Sequence, residues 1–359
     1  MGRAARTKHE RRQVARWAQA ADLAQRADQA ADHVIAHCLA QAFGRTGPLD
    51  LDALGTLRDQ AAQRTAWPSW SWLPNSIFVE DLLATNGVDI DQTDDAELEK
   101  YCRLAAAMTT VINWLPGRTV VYYDATLLES LASTPIEEPI PAQALYRLPA
   151  WGLYLDLPWL AGGAGVFACL DPGPDLHTTH VLLTYTGVLV NGVPLEHELL
   201  LANDMVPDSL SPPFADVSGD VAQFVPDQLS SVVGMPWGRV LATTVSMLLY
   251  LCSEGPDVRR VALPPGPGAP RAAANSTRAL QVGWRIGAAL RAAQRYHSAT
   301  GGEETGRHVA PHLRKPQHWH HYWTGPLSDP GQRQLVLRYL APISVGSELP
   351  VTTVVRPAS

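Results

Sequence analysis

The sequence ALYRLPAWGLYLDLP (144–158) marks the point where the hydrophobic pattern of the chain changes from helical to alternating. Leu153, Leu155 and Leu157 alternate with Tyr154 and Asp156, which is typical of a β-strand with one buried face. Further apolar runs follow at residues 165–171, 180–187, 188–195 and 197–204, separated by Gly, Pro and Asn-Gly turns. Such short connections predict an antiparallel meander.

The residues before this strand follow a helical pattern. Small apolar residues recur at helical spacing over residues 8–43, and glycines 44 and 47 end that helix. Further helices are predicted at 49–65, 77–85, 96–114 and 124–132, with a strand starting at Arg118. We expect three regions: a long N-terminal helix (1–47), a helical region with a Trp/Pro segment (48–145), and a sheet region with a central helix and a basic His/Trp-rich end (146–359).

The residues after the meander predict a central helix and further strands. Residues 239–252 are apolar on nearly all sides, which is typical of a buried helix. A strand at 279–284, a helix at 285–297 and a strand at 335–345 follow. The whole pattern predicts an α+β fold with a helical N-terminal half, a central antiparallel sheet and a basic C-terminal segment that completes the sheet.

The charges and cysteines indicate a cytoplasmic protein without a membrane partner. The four cysteines are far apart in sequence, so neither a disulfide framework nor a cysteine-rich zinc site is expected. The most apolar run, 240–252, is too short to span a bilayer. The net charge is −7, but the acidic residues concentrate before residue 258 and the last third is basic. That third either docks on the acidic body or offers a positive surface to nucleic acid or an acidic partner.

The densest aromatic and cationic segment is HVAPHLRKPQHWHHYWTG (308–325). An extended chain over residues 317–323 places His318, His320 and Tyr322 on one face and Trp319, His321 and Trp323 on the other. Three interpretations are open: a metal site, a surface for single-stranded RNA or a peptide, or tryptophans in the core with satisfied histidines. No cysteine and no H-E-x-x-H motif accompanies the histidines, so we expect no metal and no cofactor.

Several segments together resemble the second-named family of type V-A anti-CRISPR proteins. The most specific are LYRLPAWGLYLDL (145–157) and HWHHYWTGP (318–326). The others are AWPSWSWLP (66–74), YYDATLLESL (122–131), SMLLYLCSEGPDV (246–258), VGWRIGAALRAAQRY (282–296) and LVLRYLAPISV (335–345). The chain departs from the family at Ser71 and Gly152, where relatives often have cysteine.

The resemblance implies a regulator carried by a phage, plasmid or other mobile element. Members of the family lower the level of the type V-A CRISPR effector nuclease by acting on its mRNA during translation, after recognising its emerging N-terminal polypeptide. The implied partners are that nascent polypeptide and the ribosome or the mRNA. The chain is therefore expected to be a binding or regulatory protein rather than an enzyme.

An emerging polypeptide is extended, so its receptor needs an exposed sheet edge or an aromatic groove. The candidate peptide-binding residues are Trp151, Tyr154, Asp156, Trp319, His320 and Tyr322. The candidate contacts to RNA or the ribosome are Arg285, Arg291, Arg295, Arg314 and Lys315. The alternative functions are an RNA-binding protein of a mobile element and a histidine-dependent nuclease, with or without a metal, in which His318 or His320 acts as general acid–base or ligand.

Overall fold

The computed structural model describes most of the chain. The described residues are 3–45, 47–134, 136, 140, 142–160, 164–173, 176, 179–186, 189–190, 193–194, 197–201, 237–261, 278–291, 312–315, 317–329, 332–341 and 343–345. Side chains are described for these residues except 3–10, 12, 142, 189–201, 237–238, 312–315 and 343–345. In the part of the chain so described, no helix is both long and apolar enough to cross a membrane.

The N-terminal half is helical, as the sequence predicts. Its α-helices are α1 (Arg3–Phe43), α2 (Leu51–Arg64), α3 (Asn75–Thr85), α4 (Asp95–Trp114) and α5 (Ala125–Ala132). Asp50, Asp94 and Asp124 precede α2, α4 and α5, and each carboxylate accepts a hydrogen bond from a backbone N–H of the first turn. The apolar helix α6 (Trp237–Cys252) follows the meander, and its residues from Val240 to Cys252 are almost all buried.

A seven-stranded sheet lies at the centre, in the order β7-β4-β3-β2-β1-β9-β8. The strands are β1 (Thr119–Tyr123), β2 (Gly152–Asp156), β3 (Gly165–Asp171), β4 (His180–Thr186), β5 (Leu189–Val190), β6 (Val193–Pro194), β7 (His197–Leu201), β8 (Val258–Val261), β9 (Arg278–Val282), β10 (His312–Lys315), β11 (His318–Thr324), β12 (Gln334–Leu340) and β13 (Ile343–Val345). The predicted meander is present, because β2, β3, β4 and β7 pair in antiparallel fashion. The sheet as a whole is mixed, since β1 runs parallel to β2 and β9. The crossover through α5 makes β1 and β2 parallel.

The α+β class is confirmed, but the C-terminal strands do not all join the central sheet. Among the described strands of the last third of the chain, only β8 and β9 belong to it, and β8 occupies the edge. β11 pairs with β12, and β10 with β13, as two separate two-stranded sheets. The prediction that the basic His/Trp-rich segment completes the sheet is therefore corrected. The physical reason is packing: Trp319, Leu335 and Leu337 bury one face of the β11–β12 pair in the core that includes α6.

The two faces of the sheet carry two different cores. Leu153 and Leu155 of β2 face the core formed with α5, α6 and the β11–β12 pair. Tyr154, between them, faces the core formed with α1, α3 and α4. Successive side chains of a strand point to opposite faces, which explains this division. Residues from all three predicted regions share the second core. It contains the buried stripe of α1, residues of α4 and β1, and Tyr154 and Phe167 of β2 and β3.

A buried side-chain amide of α4 makes hydrogen bonds to the backbone of the Trp/Pro segment after α2. The Oδ1 atom of Asn113 on α4 accepts hydrogen bonds from the backbone N–H groups of Trp72 (2.9 Å) and Leu73 (3.3 Å). Its Nδ2 atom donates to the backbone oxygens of Leu73 and Thr109, each at 3.0 Å. Asn113 is 1% exposed, so water does not reach these bonds. Its side chain supplies hydrogen-bond partners for backbone groups of an irregular segment that has no regular backbone pairing there.

Candidate functional site

The His/Trp ribbon, formed by β11 and β12, presents two chemically different faces. Its inward face contributes Trp319, Leu335 and Leu337, which are 9%, 6% and 1% exposed. The outward face carries His318, His320 and Tyr322 on β11, opposite Leu340, Arg338 and Val336 on β12. The extended conformation and the alternation predicted for residues 317–323 are therefore confirmed from His318 onward. The core interpretation holds for Trp319, whereas Tyr322 remains half-buried and His320 exposed.

The outward face is both cationic and aromatic. The ring centroids of His320 and Tyr322 lie 5.6 Å apart. The guanidinium carbon of Arg338 lies 5.3 Å from the centroid of the Tyr322 ring, within the range of a cation–π interaction. Arg338 also forms an ion pair with Glu254, which lies just after α6. These contacts orient Tyr322 while leaving the side chains accessible to a ligand.

Sequence reasoning did not single out Arg338 as a site residue. The segment LVLRYLAPISV (335–345) contains the pattern that could have identified it. Leu335 and Leu337 are buried, and Arg338 lies an odd number of positions from each of them, so it belongs to the other face of the strand. Alternation in that strand alone places its side chain away from the core. What alternation cannot predict is the register that sets Arg338 directly opposite His320.

The ribbon is anchored firmly to the body of the protein. The backbone N–H of Glu254 donates to the oxygen of Leu337 at 2.7 Å. The hydroxyls of Tyr339 and Ser130 lie 2.6 Å apart, and the Gln317 side-chain amide donates to the Ser133 hydroxyl at 2.9 Å. The outward face is thus presented on a support that is anchored through both strands, in the half of the ribbon where His318 pairs with Leu340.

The outer edge of β11 is the second notable feature of the ribbon. In the ranges that the structure describes, β11 pairs with β12 and with no other strand. Such an edge presents unpaired backbone N–H and C=O groups, on which an extended peptide can add as a further strand. Edge and outward face together offer backbone pairing and side-chain contacts in one place.

Trp151 belongs to a second aromatic cluster. Its indole N–H donates to the Ser69 oxygen at 3.0 Å, and its side chain is 40% exposed. The neighbouring Trp70 stacks on Tyr146 with the ring centroids 5.3 Å apart. Tyr146 belongs to a 3₁₀ helix, Ala142–Arg147, that packs against β12. Trp151 therefore lies outside the ribbon, and its cluster connects to β12 through this 3₁₀ helix.

Tyr154 and Asp156 lie on the opposite face of the central sheet. Tyr154 is 1% exposed, and its ring lies 4.8 Å from the ring of Phe167. The Oδ1 atom of Asp156 accepts hydrogen bonds from the Arg26 guanidinium of α1 at 3.2 and 3.1 Å. Burial raises the pKa of Asp156, and the charge of Arg26 acts in the opposite direction. The structure therefore does not bring the six predicted peptide-binding residues together in one groove.

This placement changes what is expected of an Asp156 variant. We predict that Asp156→Ala lowers the free energy of unfolding by about 1–3 kcal/mol, because it leaves the partly buried Arg26 without its best acceptor. Asp22→Ala is the matched control: Asp22 also contacts Arg26, at 3.0 Å, but is 69% exposed, so a change of less than about 0.5 kcal/mol is expected. Denaturant titration of both variants measures the difference. If both variants lose the same unfolding free energy, the ion pair of Asp156 with Arg26 does not have the structural role assigned to it.

The predicted RNA or ribosome residues fall into different environments. Both Nη1 contacts of Arg291 to the Asp124 carboxylate are 2.6 Å, so this arginine docks on the acidic body. Arg285 is 75% exposed and lies over the Trp284 ring. Arg295 lies outside the described residues. Arg314 and Lys315 belong to β10, whose side chains are outside the described part of the structure.

Among the described side chains, the histidines of the ribbon have no further metal-binding residues grouped with them. Where side chains are described, no cluster of three or more His, Cys, Asp or Glu residues could hold a metal ion. Two histidines at i and i+2 make an incomplete site for zinc, which normally takes three or four protein ligands. We predict that elemental analysis of the purified protein finds no stoichiometric transition metal. About one zinc per chain, lost in a His318→Ala/His320→Ala variant, would contradict this prediction.

Comparison with known proteins identifies relatives of this arrangement. A family model described as "AcrVA2-like: Anti-CRISPR type V subtype A2 family" matches residues 122–347, which is more than half of the chain. The comparison with curated proteins gave no match. A solved structure, described as "Crystal structure of AcrVA2", is 17% identical in sequence, covers 81% of this chain and 92% of that chain, and has a TM-score of 0.46. A likeness at that identity and score supports no statement about site residues.

Proposed function

Because the chain belongs to the AcrVA2-like family of type V-A anti-CRISPR proteins, we propose that it recognises the nascent N-terminal polypeptide of a type V-A CRISPR effector nuclease. On this proposal, recognition triggers the translation-dependent loss of the mRNA that encodes the nuclease. The chain acts as a binding and regulatory protein of a mobile element. Its targets are the emerging peptide and the ribosome or message that carries it.

The observation that supports this function is the ribbon, in which β11 pairs with no described strand besides β12 and its outward face is aromatic and cationic. A nascent peptide has not yet folded, so its backbone groups are available to pair with a strand edge. Pairing along β11 places alternate peptide side chains beside His318, His320 and Tyr322. Backbone pairing contributes affinity, and the outward face selects the side chains of the target.

The proposed peptide site therefore centres on the outward face, with Trp151 at its margin. Trp319 lies on the inward face of the ribbon, where its ring makes an edge-on contact with Tyr339 at 5.3 Å between ring centroids, and this packing helps to fix the position of the strand pair. The burial of Tyr154 and the ion pair of Asp156 favour structural roles for both residues. We assign RNA or ribosome contact to the exposed Arg285 and to β10, which carries Arg314 and Lys315.

The test separates recognition of the peptide from recognition of the RNA. A cell-free translation reaction is programmed with mRNA of a type V-A effector nuclease, and the surviving message is measured with and without the protein. In one arm the first codons are recoded synonymously, which changes the RNA and keeps the peptide. In the other arm two compensating frameshifts change the peptide and keep almost all of the RNA.

We expect the synonymous message to be lost and the frameshifted message to survive. Loss of both messages would show that the protein reads something other than the N-terminal peptide. Survival of the synonymous message and loss of the frameshifted one would assign recognition to the RNA. Blocking translation with an initiation inhibitor should protect every message, since the peptide then never emerges.

A further inference from the structure

The central sheet ends at β8, a strand of sequence VRRV. β8 pairs antiparallel with β9, and in the part of the chain that the structure describes it pairs with no other strand. The outer side of such an edge strand carries backbone N–H and C=O groups that can pair with another extended chain. β8 is therefore a second place, besides the ribbon, where a strand can be added to this protein.

The two arginines of β8 lie on different faces of the sheet. Arg259 pairs in register with Gln281, and its Nε atom donates to the Gln281 amide oxygen at 2.7 Å. Its guanidinium carbon lies 4.5 Å from the centroid of the Trp284 ring. Arg260 pairs with Leu280, which belongs to the core on the α6 face. The side chain of Arg259 is half-buried, and that of Arg260 is exposed.

The positive charges at this edge have no carboxylate partner among the described residues. Arg259 contacts two neutral groups, the amide and the indole ring already named. Arg260 forms no ion pair with a described carboxylate, and neither does Arg278, which begins β9. Both of these side chains are exposed, and Arg278 shares the α6 face because it lies two positions from Leu280. The edge therefore offers three guanidiniums to an acidic ligand.

The acidic residue next to β8 in sequence is already engaged elsewhere. The Oδ2 atom of Asp257 accepts a hydrogen bond from the backbone N–H of Ile286 at 2.9 Å. Its Oδ1 atom lies 3.9 Å from the Nε atom of Arg285. Asp257 thus binds residues that follow β9, and it forms no ion pair with the arginines of β8.

An added strand matches this arrangement better than a nucleic acid does. The side chains of an extended peptide alternate between the two faces, so two consecutive carboxylates would meet Arg259 on one face and Arg260 on the other. The phosphates of single-stranded RNA follow a continuous positive groove, whereas the backbone of β8 separates these two guanidiniums. Val258 and Val261 flank the arginines and are half-buried, which suits apolar residues of a peptide.

We propose that the edge of β8 binds an extended acidic segment of a partner protein, which pairs with β8 as an additional strand. The segment has the pattern apolar–acidic–acidic–apolar, complementary to VRRV. Backbone pairing supplies affinity, and the two carboxylates supply specificity for the partner. This inference does not rest on the proposed function, since no residue of the ribbon takes part in it.

Fluorescence anisotropy with labelled peptides tests the proposal on the full-length protein. The probe is a peptide of about ten residues with Val-Glu-Glu-Val at its centre, and the comparison peptide carries Val-Gln-Gln-Val there. We expect saturable binding of the acidic probe that weakens as the salt concentration rises, and binding of the neutral peptide that is weaker by about fivefold or more. Hydrogen exchange should slow at the β8 amides when the acidic probe is bound, because their outer N–H groups then have acceptors. That result places the probe on β8 and not on the ribbon.

Variants make the assignment specific. Arg260→Glu is expected to weaken binding of the acidic probe by about tenfold, because an attractive cross-strand pair becomes a repulsive one. Arg260 is exposed, so the melting temperature should change little. Arg103→Glu is the matched control: it makes the same charge change at an exposed residue of α4, which packs on β2, β3, β4 and β7. Its affinity should stay within about twofold of that of the parent.

Three results would overturn the proposal: no saturable binding of the acidic probe, equal binding by the Arg260→Glu and Arg103→Glu variants, or unchanged exchange of the β8 amides. An edge whose arginines only prevent self-association gives the first of these results. A single-stranded oligouridylate provides the remaining comparison. If it binds more tightly than the acidic probe and its binding is lost in Arg260→Glu, the edge serves RNA and the proposal is equally overturned.

Discussion

The Asn113→Ala variant should lose about 3–5 kcal/mol of unfolding free energy, the largest loss that we expect from one side chain in this protein. The substitution leaves the buried N–H groups of Trp72 and Leu73 without their acceptor and the oxygen of Leu73 without its donor. Each such group costs about 1–3 kcal/mol when it is buried away from water. Guanidinium titration followed by tryptophan fluorescence measures the loss.

Asn86→Ala is the matched control for this prediction. Asn86 also donates its side-chain amide to a backbone oxygen, that of Leu82 at 2.6 Å, but it sits half-buried at the end of α3, where water can replace it. We expect that control to lose about 1 kcal/mol or less. If both variants lose the same amount, the Trp/Pro segment does not depend on Asn113 for its position.

The His320→Ala/Tyr322→Ala double variant is expected to weaken binding of the target N-terminal peptide by about a hundredfold. A hundredfold loss corresponds to about 2.8 kcal/mol for the two residues together, because about 1.4 kcal/mol is a factor of ten, and aromatic residues at the centre of an interface commonly contribute this much. His320 is exposed and Tyr322 half-buried, so the melting temperature should change little. Fluorescence anisotropy with a labelled peptide measures affinity, and the cell-free assay measures loss of the message.

Trp323→Ala provides the comparison on the same strand. Trp323 is 42% exposed, but it belongs to the other face of β11 and lies 5.7 Å from the guanidinium carbon of Arg333. A peptide on the outward face does not contact it, so affinity should stay within about twofold of the parent. Equal losses in the double variant and in Trp323→Ala would argue against a face-specific site. Full retention of affinity in the double variant would place the peptide elsewhere.

Local pattern predicted the type of many of the described elements, although the single strands predicted at 188–195 and 335–345 are each two strands. Alternation in residues 153–157 and 317–323 indicated strands, and both are strands, because the period of two is a property of the chain itself. The apolar run at 239–252 predicted a buried helix for a similar reason. Pattern also predicted that Tyr154 and Leu153 face opposite ways.

Local pattern could not predict which surface covers each face. Tyr154 and Asp156 look like the solvent face of a strand with one buried side, yet α1 covers them, and Arg26 lies 130 positions earlier in the sequence. Arg291 looks like a solvated helix residue, yet it binds Asp124. The two-stranded pairing of β11 with β12 is likewise decided by the burial of Trp319 and Leu337 on α6 and not by their own periodicity.

The packing of α1 also determines when the protein can finish folding. The buried stripe of this helix includes Ala20, Leu23 and Ala27, and the helix is made before α4, β1 and β2, which cover that stripe. Asp156, the partner of Arg26, is synthesised about 130 residues later. The parallel neighbour of the central strand β1 is β9, which is synthesised still later than Asp156. Contacts between such distant segments form slowly, because the intervening chain must first be ordered. The apolar stripe of α1 therefore stays exposed while much of the remaining chain is synthesised. A chaperone or a second copy can bind this stripe before β9 completes the sheet.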